Sequence, residues 1–301
     1  MRLELTVLGS ASQAPTRERG QGGYVLRWDD EQILFDPGEG CQRQLLYAHL
    51  SAAHITRVCI THFHGDHCLG LPGFLQSRAL TTTRALTLHY AGAQEAYVEK
   101  LLSCSVIDFD LRVRRQPLTA PQTIVTPRFE LSCEQLDHPT PVIGYRLEAP
   151  RALHMLPDRL EAFGIEGGAV ARIKETGSIT VAGRVVRLDD VSEWRAGPAV
   201  AFVMDTAPCA GATRLAAGAD LLICESTFLD TEVDLAAAHG HMTAAQAGRF
   251  AADAGVGLLV LTHFSGRYDD VAAFEAEAAR HHPNVVAAHD LSTIVCDTTR
   301  A

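Results

Sequence analysis

The sequence predicts an α+β fold, because strand signals are followed by helix signals in both halves of the chain. The first strands are predicted at 3–9, 23–28 and 32–36. Turn signals at Ala14-Pro15 and at 20–23 separate the first strand from the second, so a sheet meander opens the fold. Helices are predicted at 41–50, 91–102 and 244–254 from composition and apolar spacing. A length of 301 residues is compatible with one large two-sheet domain.

A motif of three histidines and one aspartate follows the apolar segment 57–61. His62, His64, Asp66 and His67 lie within six consecutive positions. Imidazole and carboxylate suit zinc, and two metal ions about 3.5 to 4 Å apart can activate water and clamp a phosphoryl group. A His-rich surface loop is the alternative, but the apolar run places the motif at a strand end. The motif therefore predicts half of a two-metal hydrolytic site.

Other polar residues that follow apolar runs are candidates for the remaining ligands. Asp205 follows the run 198–204, His263 follows 257–262, and His138 is a further candidate. Functional groups cluster where strands end in folds of sheets and helices. Each residue alone is as readily an ordinary hydrogen-bonded side chain. Together they complete a metal site.

Composition and charge exclude several classes of protein. The chain is 47% hydrophobic and 21% charged, without a run of about 18 apolar residues or a signal-peptide pattern. We therefore expect a soluble, cytoplasmic protein with no membrane association. The eight cysteines include no Cys-x-x-Cys pair, so neither a disulfide framework nor a thiolate zinc site is indicated. A net charge of −10 argues against indiscriminate nucleic-acid binding, although it permits a local basic patch.

The ordered motifs together resemble the ribonuclease Z (tRNase Z) family of the metallo-β-lactamase superfamily. The matching segments are 35–40, 62–74, His138, 204–206, 225–228, 241–243 and 262–265. The histidine motif alone specifies only the superfamily. Gly-Leu-Pro-Gly at 70–73, the run at 38–44 and the late His-x-Thr and His-Phe-Ser-x-Arg-Tyr blocks are typical of this one family. The resemblance covers nearly the whole chain.

The resemblance implies a four-layer αββα sandwich over 1–301, with an inserted arm at 149–197 and metals at one edge. It also implies two zinc ions per chain, or other divalent metals in their place. One ion is expected on His62, His64 and His138. The second is expected on Asp66, His67 and His263, with Asp205 bridging the two ions. Asp36 is expected to hold a ligand histidine through its other ring nitrogen.

The resemblance also implies roles in proton transfer. Asp66 is expected to orient or deprotonate the attacking water. His241 is nominated to protonate the leaving oxygen, with Glu225 fixing its tautomer and raising its basicity. A helix-capping role is the alternative for His241, because it precedes the helix predicted from residue 244. Arg267, beside His263, is a candidate phosphate clamp, with a solvated charge as the alternative.

The segment 149–197 is not needed for the metal site. In the family this region is an arm that grips the tRNA elbow. Basic and acidic residues are equally numerous over the segment, but its part at 169–187 is basic and offers Arg172 and Lys174 as candidate substrate-binding residues. A neutral, solvated insertion is the alternative.

The leading hypothesis is a tRNA 3′-processing endoribonuclease. It would remove the 3′ trailer from precursor tRNA and leave a 3′-hydroxyl, acting as a homodimer in which the arm of one subunit serves the other. The first alternative is a hydrolase of small phosphodiesters or sulfate esters. The second is a non-catalytic RNA-binding relative, against which the complete ligand set argues.

The sequence departs from the family pattern at a few positions. Gly167-Gly168 replaces a Gly-Pro pair, and Gly20-Gln21 replaces a more typical Arg-Asn turn. Cys224, Met242 and Met204 stand where histidine, serine and glycine are usual. Because none of these changes removes a ligand, we expect hydrolysis to persist, and the changes leave substrate preference and rate open.

Overall fold

Apolar runs become strands in the computed structural model, which describes residues 2–298. In chain order the strands are β1 Arg2–Gly9, β2 Gly23–Trp28, β3 Glu31–Phe35, β4 Ile55–Cys59, β5 Leu86–Ala91, β6 Val113–Leu118, β7 Gln122–Val125, β8 Glu130–Gln135, β9 Ile143–Glu148, β10 Ala152–Met155, β11 Ser178–Val181, β12 Arg184–Arg187, β13 Ser192–Arg195, β14 Ala199–Val203, β15 Leu221–Glu225, β16 Leu258–Thr262, β17 Val285–Ala287 and β18 Thr293–Asp297.

Helices occupy many of the connections between these strands. They are α1 Cys41–Tyr47, α2 Gly65–Cys68, α3 Leu71–Ala79, α4 Glu95–Leu102, α5 Pro157–Ala162, α6 Gly168–Thr176, α7 Ala210–Ala216, α8 Val233–His239, α9 Ala244–Asp253 and α10 Ala272–Ala278. No helix among residues 2–298 is long and apolar enough to cross a membrane.

Two seven-stranded mixed sheets form the larger unit of the described chain, residues 2–148 and 199–298. The first sheet has the order β18-β1-β2-β3-β4-β5-β6, antiparallel up to β3 and parallel from β3 onwards. The second has the order β17-β16-β15-β14-β9-β8-β7, parallel up to β14 and antiparallel beyond it. Each sheet therefore contributes a set of parallel strands whose carboxyl ends lie at one edge.

Helices cover the outer face of each sheet. Leu45 of α1, Phe74 of α3 and Val98 of α4 are buried in one apolar cluster with Leu34 and Val58 of the first sheet. On the second sheet, α7 packs against β8, β9 and β14, α9 packs against β15 and β16, and α10 packs against β17. The layer order is helix, sheet, sheet, helix. The predicted αββα fold class is confirmed.

Aromatic side chains join the two sheets in the centre of this unit. Phe35 of β3 stacks on Phe202 of β14 with ring centroids 4.5 Å apart, and meets Tyr145 of β9 at 6.0 Å. Tyr24 of β2 contacts Phe202 edge-on at 5.3 Å, and its hydroxyl lies 2.8 Å from Thr262 Oγ1 at the end of β16. Large buried rings of this kind fix how the two sheets face one another.

A second unit comprises residues 149–198. It contains the antiparallel pair of β10 and β13, the hairpin of β11 and β12, and the helices α5 and α6. Ile165, Ile173, Val186 and Val191 are buried in a small core of its own. Gly167 has φ of +55° and ψ of −127° immediately before α6, a conformation that favours glycine.

The sequence patterns predicted which helices and strands exist more accurately than the residues at which they begin and end. The helix predicted at 91–102 was wrong at its start, because Ala91 is the buried last residue of β5 and α4 begins only at Glu95. The helix predicted at 41–50 ends at Tyr47. The strand predicted to end at Asp36 ends at Phe35, since the backbone of Asp36 turns into the left-handed region.

Candidate active site

The candidate site lies where parallel strands of both sheets end. Asp36 follows β3 and His62 lies three residues beyond β4, two strands paired in parallel register. In the second sheet, Asp205 lies two residues beyond β14, Glu225 ends β15, and His263 follows β16. The register of the parallel pairs brings these side chains to one edge of the sandwich.

Three residues at this edge have unusual backbone conformations. The φ angles are +44° at Asp36, +43° at Asp205 and +62° at His263. Non-glycine residues rarely adopt positive φ, and such strain persists where the surrounding structure overdetermines it, often at functional sites. In each case the turn redirects the chain immediately after a buried strand and points a polar side chain into the site.

The first ligand group consists of His62, His64, His138 and Asp205. One donor atom from each lies within 4.8 Å of the others. His62 Nε2 is 2.9 Å from His64 Nδ1 and 3.5 Å from Asp205 Oδ2. Four convergent nitrogen and oxygen donors match the coordination number that zinc prefers.

The second group consists of Asp66, His67 and His263, whose donor atoms also lie within 4.8 Å of one another. Asp66 Oδ2 is 3.4 Å from Nε2 of both histidines. Asp205 Oδ1 is 3.3 Å from His67 Nε2 and 3.2 Å from His263 Nε2. The two oxygens of Asp205 therefore face different ligand groups.

The hydrogen bonds of Asp36 and Thr61 determine the tautomers of two histidines. His67 Nδ1 donates to Asp36 Oδ2 at 2.8 Å, because a carboxylate can only accept. Thr61 Oγ1 donates its single proton to the same oxygen at 2.7 Å, so it accepts from His62 Nδ1 at 3.0 Å. In the neutral rings, the Nε2 atoms of His62 and His67 therefore carry lone pairs.

Glu225 and a second threonine repeat this arrangement on the other sheet. Thr227 Oγ1 donates to Glu225 Oε2 at 2.7 Å and accepts from His263 Nδ1 at 2.9 Å. His138 Nδ1 donates to the carbonyl of Gly240 at 3.0 Å. These contacts leave Nε2 of His263 and of His138 as lone-pair donors as well.

These contacts make the site suitable for cations. Nε2 of His67 and Nε2 of His263 face each other at 3.3 Å, and in the neutral tautomers set by the Nδ1 contacts both atoms carry lone pairs. Asp205 Oδ1 is buried and accepts a hydrogen bond from no described residue. A buried carboxylate oxygen and opposed lone pairs are costly unless a cation lies between them. The described residues therefore fit two metal ions that share Asp205.

The ligand histidines differ in their electrostatics: burial opposes the charged form of His67, but Asp205 and Asp36 raise its pKa well above the usual value. Burial lowers the pKa of His62, His64 and His138, which favours the neutral form that binds a metal. Burial would raise the pKa of Asp66, but hydrogen bonds and charge from His263 and His67 hold it well below its usual range. Asp66 is therefore a carboxylate at neutral pH.

His241 lies beside the second group and pairs with Glu225. Its Nδ1 is 2.8 Å from Glu225 Oε1, and Glu225 is fully buried. Burial opposes the charged ring, but the charge and hydrogen bond of Glu225 raise the pKa of His241 to about 9. The cap of α9 is Thr243, whose side chain and that of Gln246 form a capping box. His241 is thus free of the capping role.

A cavity of about 960 Å³ opens over these side chains. His64, Asp66, His138, Asp205, His241 and His263 line it. Arg267 also lines the cavity, with its guanidinium over the Phe228 ring at 5.2 Å and Nη1 3.4 Å from Glu232. The other two predicted substrate-binding residues, Arg172 and Lys174, are exposed on α6 of the second unit.

Sequence patterns missed three supporting residues. Thr61 and Thr227 connect carboxylates to ligand histidines, and the backbone N–H of Gln13 donates to Asp66 Oδ2 at 2.6 Å. The only available signal was position: Thr61 directly precedes His62, and Thr227 lies two residues after Glu225. Position along the chain does not reveal which distant side chain each threonine contacts. Gln13 lies 53 positions from Asp66 and gave no signal.

Comparisons with known proteins agree with this geometry. A family model described as the Beta-lactamase superfamily domain matches residues 31–264. A ribonuclease Z of Streptomyces avermitilis is 50% identical over 292 residues, covering 96% of each chain. A ribonuclease Z of Nocardia farcinica is 47% identical over 295 residues, covering 97% of each chain.

Solved structures show the same relationship. The crystal structure of the short form of human tRNase Z aligns with a TM-score of 0.67 and 26% identity, covering 97% of this chain and 98% of that one. The predicted family is therefore confirmed. Its sequence motifs, its two-sheet fold and its relatives over nearly the full length show that this chain belongs to the ribonuclease Z family of the metallo-β-lactamase superfamily.

Proposed function

We propose that this chain removes the 3′ trailer of precursor tRNA by endonucleolytic hydrolysis, with two zinc ions held by its two ligand groups. Membership of the ribonuclease Z family supports the reaction. The observation that carries the metal assignment is Asp205, whose buried oxygens face one ligand group each. The family match does not depend on that geometry, so the two lines of support are independent.

Each ligand group has the donors that one zinc ion needs. His62, His64 and His138 would hold the first ion and Asp66, His67 and His263 the second, with Asp205 shared between them. When bound, such a pair supplies an activated water and charge stabilisation at the phosphoryl oxygens. Asp36, Thr61 and Thr227 hold the histidines in the tautomer whose Nε2 atom carries the lone pair, through the hydrogen bonds described above.

Two residues of the chain are assigned roles in handling water and protons. Asp66 is a carboxylate of the second ligand group and lines the cavity, so it can accept a hydrogen bond from the attacking water and orient it. His241 is cationic below about pH 9 because of Glu225, so it can donate a proton to the leaving oxygen of the substrate. Arg267 at the cavity wall offers a positive charge to a phosphate.

We assign the substrate grip to the second unit, residues 149–198. Its folded core and its exposed Arg172 and Lys174 on α6 support a role as a separate binding arm for precursor tRNA. Exposed apolar side chains on the helices of the first sheet, including Leu46, Tyr47 and Tyr97, support a homodimer. With precursor tRNA as substrate, we place the reaction in the cytoplasm.

The function is tested by incubating the zinc-loaded chain with a precursor tRNA that carries a 3′ trailer and mapping the new ends. We expect one cut and a 3′-hydroxyl on the tRNA fragment. Hydrolysis of a nitrophenyl phosphodiester without any cut in precursor tRNA would refute the tRNA assignment and favour a hydrolase of small phosphodiesters.

A further inference from the structure

The loop between β1 and β2 reaches the metal ligands from outside both sheets. Ala11 forms a β-bridge to Phe264, and the N–H of Ser12 donates to the carbonyl of Phe264 at 3.0 Å, so the loop lies next to His263. Its next residue, Gln13, donates its backbone N–H to Asp66 Oδ2 at 2.6 Å. The contact orients the carboxylate that also faces His67 and His263.

The backbone of Gln13 is itself held by a side chain. Gln13 is exposed and has φ of +59°, a conformation that a glutamine does not favour on its own. Gln21 Nε2 donates to the Gln13 carbonyl at 2.8 Å, and Gln21 Oε1 accepts from the N–H of Glu39 at 2.9 Å. A primary amide carries one donor end and one acceptor end, which both contacts require.

The side-chain amide of Gln21 connects the backbone of Gln13 to the loop of Glu39, and these segments are closely packed. Gly38 precedes Glu39, and its N–H donates to the carbonyl of Gly22 at 2.8 Å. A Cβ added at Gly38 would lie 2.4 Å from the Asp66 carbonyl and 2.9 Å from Gln21 Cβ. The loop that bears Gln21, the loop that bears Glu39 and the backbone of Asp66 therefore pack directly against one another.

We propose that Gln21 is a positioning residue for Asp66. Through its amide it fixes the backbone of Gln13 against the loop of Glu39, and the N–H of Gln13 sets the orientation of the Asp66 carboxylate. The inference rests on the proposed function, in which Asp66 holds the second ion and orients water. It also gives a physical role to a position at which the sequence departs from the family pattern.

Two other roles for Gln21 would give different results. Gln21 lines the cavity, so a direct contact with RNA would change KM for precursor tRNA and spare a small substrate. A purely structural role would lower the melting temperature and leave kcat per folded molecule unchanged. A positioning role lowers kcat on both substrates and weakens the second metal site.

The decisive variants are Gln21→Glu and Gln21→Met in the full chain. Glutamate keeps the acceptor for the Glu39 N–H but cannot donate to the Gln13 carbonyl, whereas methionine keeps the length and loses both contacts. Gln76→Met is the matched control, since Gln76 makes one side-chain hydrogen bond, to Ser105, and does not line the cavity. Each protein is loaded with zinc for kinetics and with Co²⁺ for visible spectroscopy.

We expect both Gln21 variants to lose about 10-fold in kcat on a nitrophenyl phosphodiester, with KM within about twofold of wild type. The affinity for the second Co²⁺ should fall by a similar factor and its absorption bands should shift. The control should match wild type in all three readouts.

Wild-type kcat and an unchanged Co²⁺ spectrum in Gln21→Glu would overturn the positioning role, as would a loss confined to KM for precursor tRNA. If Gln21→Met does not fold, the isosteric Gln21→Glu still decides. Failure of the wild-type chain to bind two ions would instead count against the proposed function, so the two failures remain distinguishable.

Discussion

Asp205 Oδ1 lies 3.2 Å from His263 Nε2 and is buried without a hydrogen bond from any described residue. Because His263 Nδ1 donates to Thr227 Oγ1, Nε2 of the neutral ring presents a lone pair to this carboxylate oxygen. Two electron-rich atoms at this distance in a buried site repel unless a cation lies between them. The contact therefore favours occupation of this region by a cation.

Replacing Asp205 by alanine should abolish hydrolysis and remove most of one metal ion, because both ligand groups lose a donor. The wild-type chain should carry close to two zinc ions. Elemental analysis of purified protein measures both values. Asp253→Ala, at an exposed position at the end of α9, is the control. Full activity in the Asp205 variant would contradict the bridging assignment.

Replacing His241 by alanine should lower the rate on precursor tRNA by roughly 10² to 10⁴, the usual contribution of a general acid. The metal content should stay intact. A nitrophenyl phosphodiester has a good leaving group that needs little protonation, so its hydrolysis should fall less. His281→Ala removes an exposed imidazole as the control. Equal losses on both substrates would assign His241 to structure.

Replacing Glu225 by glutamine should move the alkaline limb of the pH profile of kcat. An acid acts only while protonated, so wild-type activity should fall as pH rises through about 9, the raised pKa of His241. The Glu225 charge and hydrogen bond cause that rise, so the variant should lose activity at a lower pH. A limb that stays in place would show that another group controls it.

Removing residues 149–198 should affect cleavage of precursor tRNA and hydrolysis of a small phosphodiester differently. Glu148 of β9 and Ala199 of β14 are antiparallel partners, so a two-residue Asn-Gly turn can close the gap. Cleavage of precursor tRNA should fall severely, whereas hydrolysis of a nitrophenyl phosphodiester should change little, since remote contacts help only substrates long enough to make them.

The same deletion also tests the dimer. A mixed dimer of the shortened chain with an intact Asp205→Ala chain should process precursor tRNA, if the arm of one subunit serves the other. Double substitution of Arg172 and Lys174 by alanine is the smaller change and should weaken binding with a reduced dependence on salt. Full cleavage by the shortened chain alone would refute the substrate-grip role.

The sequence was most informative where ligands are close together along the chain. His62, His64, Asp66 and His67 lie within six positions, and the apolar run before them predicted the strand end that carries them. Asp205 and His263 were found for the same reason, as polar residues after buried strands. The pattern of apolar residues predicts only local secondary structure. The family resemblance predicted which strand ends come together at the site.

Contacts between distant segments could not be predicted in this way. Thr61 and Thr227 serve different carboxylates through side-chain hydroxyls, and Gln13 contributes a backbone N–H that any residue possesses. Their roles depend on where the chain places a partner. Helix ends were misplaced for a related reason, since the burial of Ala91 in β5 overrides its helical propensity.

The stacked pair Phe35 and Phe202 has a consequence for how this enzyme tolerates mutation. Phe35 immediately precedes Asp36, and Phe202 lies three residues before Asp205, so the ring contact sets the spacing between the halves of the site. A change of one methylene in this packing would alter the separation of the two ligand groups before it unfolded the chain. Substitutions in this interior should therefore reduce activity more readily than they reduce solubility. A screen that selects only for soluble protein would accumulate inactive variants.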